Sequence, residues 1–255
     1  MTRFSLSLAL AAAAGLVLAG PARADDAKAQ RRIEERLAKA GLDSSADIKV
    51  TVKDGTAVLE GAVLTYEASY KAEKAARKEA KQVDNRLAVG GEPRPDSDIR
   101  RDVEKAILRY PYYGVFDSVE VGVKDGVVAL RGSVYQPWRK DDIEARVAEV
   151  HGLKGMSSEI RVQGVSGFDE SLRRQLVRRI YGSENFFQYA SWAHPPIRIV
   201  VEDGKVTLTG YVRSPVEQVM LGHIARGTLA FAVDNRVEVE AAPSKEDRKP
   251  EDTRS

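Results

Sequence analysis

Three histidines, His151, His194 and His223, are the first places to look for chemistry, because imidazole titrates and binds metals near neutral pH. None has a second His, Asp or Glu at metal-ligand spacing on a clear common face, so no metal site and no cofactor is expected. His223 falls beside Met220 and Ile224 on an expected helix face. Asp141-Asp142 is a carboxylate pair of the kind that divides acid and base work. It stands beside Arg139 and Lys140 in the first turn of an expected helix, where acidic side chains favour the helix dipole. Gly222 to Gly227 lies within another expected helix and is followed by Thr228 rather than Lys, so it is no phosphate loop. There is no G-x-S-x-G elbow and no H-E-x-x-H. No catalytic residue is expected, and the chain reads as a non-enzyme.

Two features could hold a ligand instead. The first is aromatic: Tyr110-Pro111-Tyr112-Tyr113-Gly114-Val115-Phe116 in the middle of the chain, and Phe186-Phe187-Gln188-Tyr189 with Trp192 further on. Aromatic, glycine-punctuated loops insert at a lipid interface or anchor a partner. They can equally roof a core or fill a contact between modules, and both readings stand. The second is charge. Lys71, Lys74, Lys78 and Lys81 fall on one stripe of an expected helix, and Arg173, Arg174, Arg178 and Arg179 crowd another. Against anionic headgroups each cation would add roughly 1 kcal/mol. Paired with Glu67, Glu73 and Glu79, the lysines would be a solvated helix face. Tyr110, Tyr112, Tyr113, Phe116, Phe186, Phe187, Trp192 and the four lysines are thus the candidate lipid or partner contacts.

The elements that must position these residues repeat three times. Ile48 through Gly61, Val119 through Gly132 and Ile197 through Gly210 each contain Asp-Gly, at Asp54-Gly55, Asp125-Gly126 and Asp203-Gly204, with a second glycine six residues after the first. Internal repetition fixes architecture before any other signal. Asp-Gly between alternating segments predicts a hairpin with a type I′ turn. A two-residue turn pairs Val52 with Ala57 and Val50 with Leu59, Val123 with Val128 and Val121 with Leu130, and Val201 with Val206 and Ile199 with Leu208. Every one of these residues is apolar, and a one-residue slip would turn them all outward. Gly61, Gly132 and Gly210 fall on the inward face, where a helix or backbone would approach closely.

A helical stripe precedes each hairpin: Ile33 and Leu37; Ile99, Val103 and Ile107; Leu172, Leu176 and Ile180. Ser97 or Asp98, and Asp169, are the expected N-caps. A second helix is expected at roughly 66–82, 137–151 and 215–229, with Pro137 and Pro215 in the first turn. A last strand follows in each repeat, with Leu87, Ile160 and Val237 at its centre. The fold class is α+β: three tandem αββαβ modules, each a three-stranded mixed sheet with two helices on one face.

The expected boundaries are a signal peptide at 1–24, modules at 25–90, 97–163 and 168–241, and a disordered charged tail at 242–255. Arg3, the apolar run Phe4 to Leu18 and Ala22-Arg23-Ala24 predict export with cleavage after Ala24. The run is shorter than the roughly 20 residues that span a bilayer. Without Arg3 and Arg23 the 40 basic residues fall to the same 38 as the acidic ones, which excludes general attraction to nucleic acid. With no cysteine, apolar cores alone must hold the modules.

The repeat resembles the BON domain. The resemblance rests on the core x-V-x-V-x-D-G-x-V-x-L-x-G, with Ala57 and Ile199 in place of one valine in the first and third copies. It rests also on Val83-Asp84-Asn85-Arg86-Leu87-Ala88-Val89 and Val233-Asp234-Asn235-Arg236-Val237-Glu238-Val239. The middle copy departs, reading Met156-Ser157-Ser158-Glu159. The resemblance implies a bacterial protein of the periplasm or outer membrane, without catalytic residues, linked to envelope and osmotic stress. It further implies peripheral binding of anionic phospholipid or of an envelope protein, or, alternatively, a periplasmic chaperone or assembly scaffold for envelope or secretion components.

Overall fold

A computed structural model describes residues 24–42, 47–192 and 194–240. The expected signal peptide and charged tail lie outside these residues, save Ala24. The first module contains α1 (Ala24–Lys39), β1 (Asp47–Lys53), β2 (Thr56–Val63), α2 (Tyr66–Ala76) and β3 (Gln82–Val89). The second contains α3 (Asp96–Leu108), β4 (Ser118–Lys124), β5 (Val127–Val134), α4 (Pro137–Ala148) and β6 (Gly155–Val162). The third contains α5 (Gly167–Tyr181), a short α6 (Phe187–Ala190), β7 (Arg198–Glu202), β8 (Lys205–Thr209), β9 (Tyr211–Val212), α7 (Pro215–Arg226), β10 (Ala232–Asn235) and β11 (Glu238–Val239). This is the α+β architecture of three tandem modules with mixed three-stranded sheets.

In each three-stranded sheet the second hairpin strand is central, the orders being β1-β2-β3, β4-β5-β6 and β7-β8-β10, and β9 pairs separately with β11. In the second module the hairpin is antiparallel, with Val123 opposite Val128 and Val121 opposite Leu130, and β6 runs parallel to β5. In the third, Val201 lies opposite Val206 and Ile199 opposite Leu208, with β10 parallel to β8. The Asp and Gly of all three turns have positive φ, from 50° at Asp203 to 80° at Gly126. A type I′ turn demands this of both central residues, and Asp and Gly tolerate it.

The chain divides into two compact units, one holding the first module up to Gly61 and Ala72–Leu87, the other Ala62–Lys71 and everything from Ala88 onward. In the first, Ile33, Leu37, Val50, Val52, Ala57, Leu59, Ala72, Ala76 and Leu87 are buried. The second unit contains the cores of both later modules, one around Ile99, Val103, Val128, Leu130 and Ile143, the other around Leu172, Leu176, Val206, Leu208 and Leu221.

The second helices end earlier than the periodicity predicts, at Ala76, Ala148 and Arg226. A non-local bond is the reason. Lys81, Lys154 and Phe231 each donate a backbone N–H to the carbonyl of their module's turn glycine, at 2.8–2.9 Å. A strand parallel to the central one must start level with that turn, so the chain leaves the helix early to reach it. The expected caps differ too. Pro95 precedes α3 with no side-chain cap, and Ser166, not Asp169, caps α5 by accepting the Asp169 N–H.

Candidate functional site

Asp169 has another task, and it is shared by all three modules. Asp26 accepts the N–H groups of Asp54 and Gly55 at 2.9 and 3.0 Å. Asp96 does the same for Asp125 and Gly126 at 2.8 and 2.9 Å. Asp169 accepts from Asp203 and Gly204 at 3.0 and 2.8 Å. One carboxylate at the start of each first helix therefore clamps the hairpin turn, facing both the helix dipole and two backbone donors. Asp96→Ala should lower stability by about 1–2 kcal/mol in a urea melt, and Asp96→Asn, which keeps one acceptor, by less.

The aromatic loop of the second module is largely interior. Tyr110, Tyr113 and Asp117 are buried. Residues 114–117 form a turn closed by the Asp117 N–H on the Gly114 carbonyl, and its tip, Val115 and Phe116, packs against the third module's core. The Val115 carbonyl accepts the Ile199 N–H of β7 at 2.7 Å, and the Gly114 carbonyl accepts Arg198 at 2.9 Å. Arg198 also lies over the Tyr113 ring. Gln163 donates to the Phe116 carbonyl and accepts from Arg173, which reaches on to the Val201 carbonyl. Asp117, fully buried, holds the turn by accepting from the N–H groups of Gly114 and Tyr135 and from Arg139 at 2.6 Å. The loop is thus a plug that joins the second and third modules.

The other candidate contacts are dispersed. Phe186 is buried in the third core and Trp192 is half-buried against it. Tyr112 and Phe187 are exposed, at 65% and 67%. Tyr110 and Phe186 lie inside their cores, Tyr113 is buried save for an edge that lines a cleft beside α3, and Phe116 is committed to the plug. The lysines do not form one helical stripe, because α2 ends at Ala76 and Lys78 and Lys81 stand beyond it. Lys71 is tied to Glu67 at 2.5 Å, a bond that raises its pKa. Arg173, one of the cations considered for headgroup contact, is 1% exposed and stacked over Tyr135. Sequence reasoning also missed a stacked pair, Phe168 and Phe231, with ring centroids 5.2 Å apart over the Gly204 turn. The counterparts of Phe231 in the other modules are Lys81 and Lys154.

Tyr110 donates to Asp142 at 2.5 Å, and Tyr189 to Glu217 at 2.7 Å. Burial first, then the neighbouring carboxylate, pushes both phenols up to about 12 from an ordinary 10. A pKa raised in the folded state means stability that is complete below the unfolded value and lost as pH climbs to the folded one. Phenolate absorbance should therefore show these two tyrosines silent at pH 10.5, with stability falling between pH 10 and 12. Tyr110→Phe and Tyr189→Phe should each flatten that fall.

Among the described residues no three of His, Asp and Glu come together to hold a metal ion. Among them, too, no helix is long and apolar enough to cross a membrane. What repeats is a clamp on a turn and, between two copies, a plug: the structural class is a tandem array of small αββαβ modules. The BON domain family model matches residues 25–91, 95–164 and 183–241, and the chain belongs to that family, whose members are non-catalytic binding domains. The third match omits α5, although α5 carries the same turn clamp as its counterparts. Comparison with curated proteins gives no match. Two solved structures of CdsD, a structural protein of the type III secretion system of Chlamydia trachomatis, are similar in part. Its C-terminal domain is 12% identical, covers 83% of this chain and 96% of its own, and gives a TM-score of 0.26. The second is 15% identical, with coverage of 84% and 92% and a TM-score of 0.24.

Proposed function

We propose that this is an exported, periplasmic, non-enzymatic protein that binds other envelope proteins, its second and third modules acting as one body. The plug carries this reading. Aromatic residues that could have entered a bilayer are instead spent on fixing two modules together, which gives a preformed surface at little ordering cost on binding. Such a surface supports a role in assembling or protecting envelope components under envelope or osmotic stress. The test is an unfolded outer-membrane protein diluted from urea: equimolar protein should keep it soluble without added lipid. Aggregation at the control rate with several such clients would overturn the reading.

A second reading, peripheral contact with anionic phospholipid, is favoured by the exposed Tyr112, Phe187 and Phe168–Phe231 pair. It requires salt-sensitive co-sedimentation with anionic vesicles, weakened by Phe168→Ser and Phe231→Ser. Equal recovery with neutral and anionic vesicles at low salt would remove it.

A further inference from the structure

The two later modules are copies, so the site filled in one can be compared with the same site in the other. Counting from the clamp aspartates and turns, Arg100, Glu104, Ile107 and Leu108 of α3 correspond to Arg173, Val177, Ile180 and Tyr181 of α5. Glu120 and Val121 of β4 correspond to Arg198 and Ile199 of β7. In the third module the outer edge of β7 is taken: Ile199 donates to the plug's Val115 carbonyl, and Val115 and Phe116 pack on the core. In the second module the corresponding place, between α3 and the edge strand β4, is an open cleft of about 640 Å³.

The cleft has the parts of the filled site. Val121 lines it, and its carbonyl takes Arg100 at 2.7 Å. The N–H of a strand residue points the same way as its carbonyl, so the donor corresponding to that of Ile199 faces the cleft. Leu108, 41% exposed, and Tyr211 supply apolar wall. An edge strand beside an apolar wall receives peptide segments by backbone bonding with side chains in the groove. Two positions differ in charge: Glu104 replaces Val177, and Glu120 replaces Arg198, which in the filled site stacks on Tyr113.

We infer that the α3–β4 cleft receives a turn or loop of a partner protein that presents adjacent apolar side chains, as Val115–Phe116 do, with a lysine or arginine beside them to face Glu120. The occupant is the plug's chemistry with a cation in place of the Tyr113 ring, because the receptor's Arg198 is Glu120 here. This rests on the protein-binding reading above, and it is continuous with the contact between the modules, since Leu108, Tyr113, Glu120 and Tyr211 also line the adjoining cleft of about 540 Å³ beside Arg198.

The probe is a fluorescent, disulfide-cyclised peptide of residues 112–118 carrying Tyr113→Lys, titrated against the full exported chain. Saturable binding is expected. It should weaken tenfold or more in Leu108→Glu and in Glu120→Arg proteins that melt at the wild-type temperature, and Glu120→Arg should prefer the unaltered Tyr113 peptide. A control peptide with Val115→Ser and Phe116→Ser should not bind. Absence of saturable binding, or binding indifferent to both protein variants, would overturn the inference. So would a dimer in sedimentation that Leu108→Glu makes monomeric, which would assign the cleft to a second copy. Protection of the Val121 amide from exchange by anionic vesicles alone would overturn it in favour of lipid. Peptide failure while the unfolded client is still kept soluble removes the cleft and leaves the binding role standing.

Discussion

Asp117→Ala should lower the stability of the joined second and third modules by about 3–5 kcal/mol, the range for stripping one partner from a buried ion pair. The carboxylate has no exposed surface and holds three donors: Arg139, the Gly114 N–H and the Tyr135 N–H. Its loss leaves a mostly buried guanidinium unpaired and opens the turn that carries Val115 and Phe116. The effect should therefore be read at a distance. Hydrogen exchange at Ile199, whose N–H the plug receives, should accelerate in step with the drop in the urea midpoint. A double variant, Asp117→Asn with Arg139→Met, should lose less than the two single changes summed, because no unpaired charge remains. Native-like exchange at Ile199 in Asp117→Ala would show that the plug is held by packing alone.

Gly132→Ala should be as damaging by a different route. Its φ is +129°, and a Cβ there would stand 2.0 Å from the Ser118 carbonyl oxygen of the paired strand. Strain at such a φ costs about 1–3 kcal/mol before any clash. The clash is with backbone, and relieving it means prying β4 from the central strand. A loss of about 4 kcal/mol or more is expected, in the rare range for single substitutions. Gly210→Ala, 1.8 Å from the Pro196 carbonyl oxygen with φ +95°, should behave alike. Gly164→Ala, with nothing within 4 Å, should stay within about 0.5 kcal/mol of wild type. Urea denaturation of the three variants side by side decides the matter.

These glycines show what a sequence can carry. Their position six residues after each Asp-Gly was plain, and so was the close approach. Of the two expected neighbours, helix or backbone, it is backbone that approaches: the carbonyls of Asp47, Ser118 and Pro196. The hairpin register was legible because Asp-Gly pins it and alternation checks it. The ends of α2, α4 and α7 were not, because the bond that ends them runs back to a turn 26–28 residues earlier in the chain. The clamp aspartates carry a sequence signal of their own: an Asp stands seven residues before Ile33, Val103 and Leu176 in every copy. The aromatic loop admitted both a lipid-facing and an interior reading. Only the position of β7, far along the chain, separates them.

The plug also sets a schedule for synthesis. The Gly114 carbonyl precedes its partner Arg198 by 84 residues. At about 5–20 residues per second, translation leaves the apolar tip without its receptor for roughly 4–17 s. From Val162, where the middle module's last strand ends, 36 residues remain to Arg198, and for roughly 2–7 s the nascent module is complete in its own core yet adhesive at one corner. A premature stop before β7 would make that corner permanent, so shortened products should aggregate even though every element they contain can form.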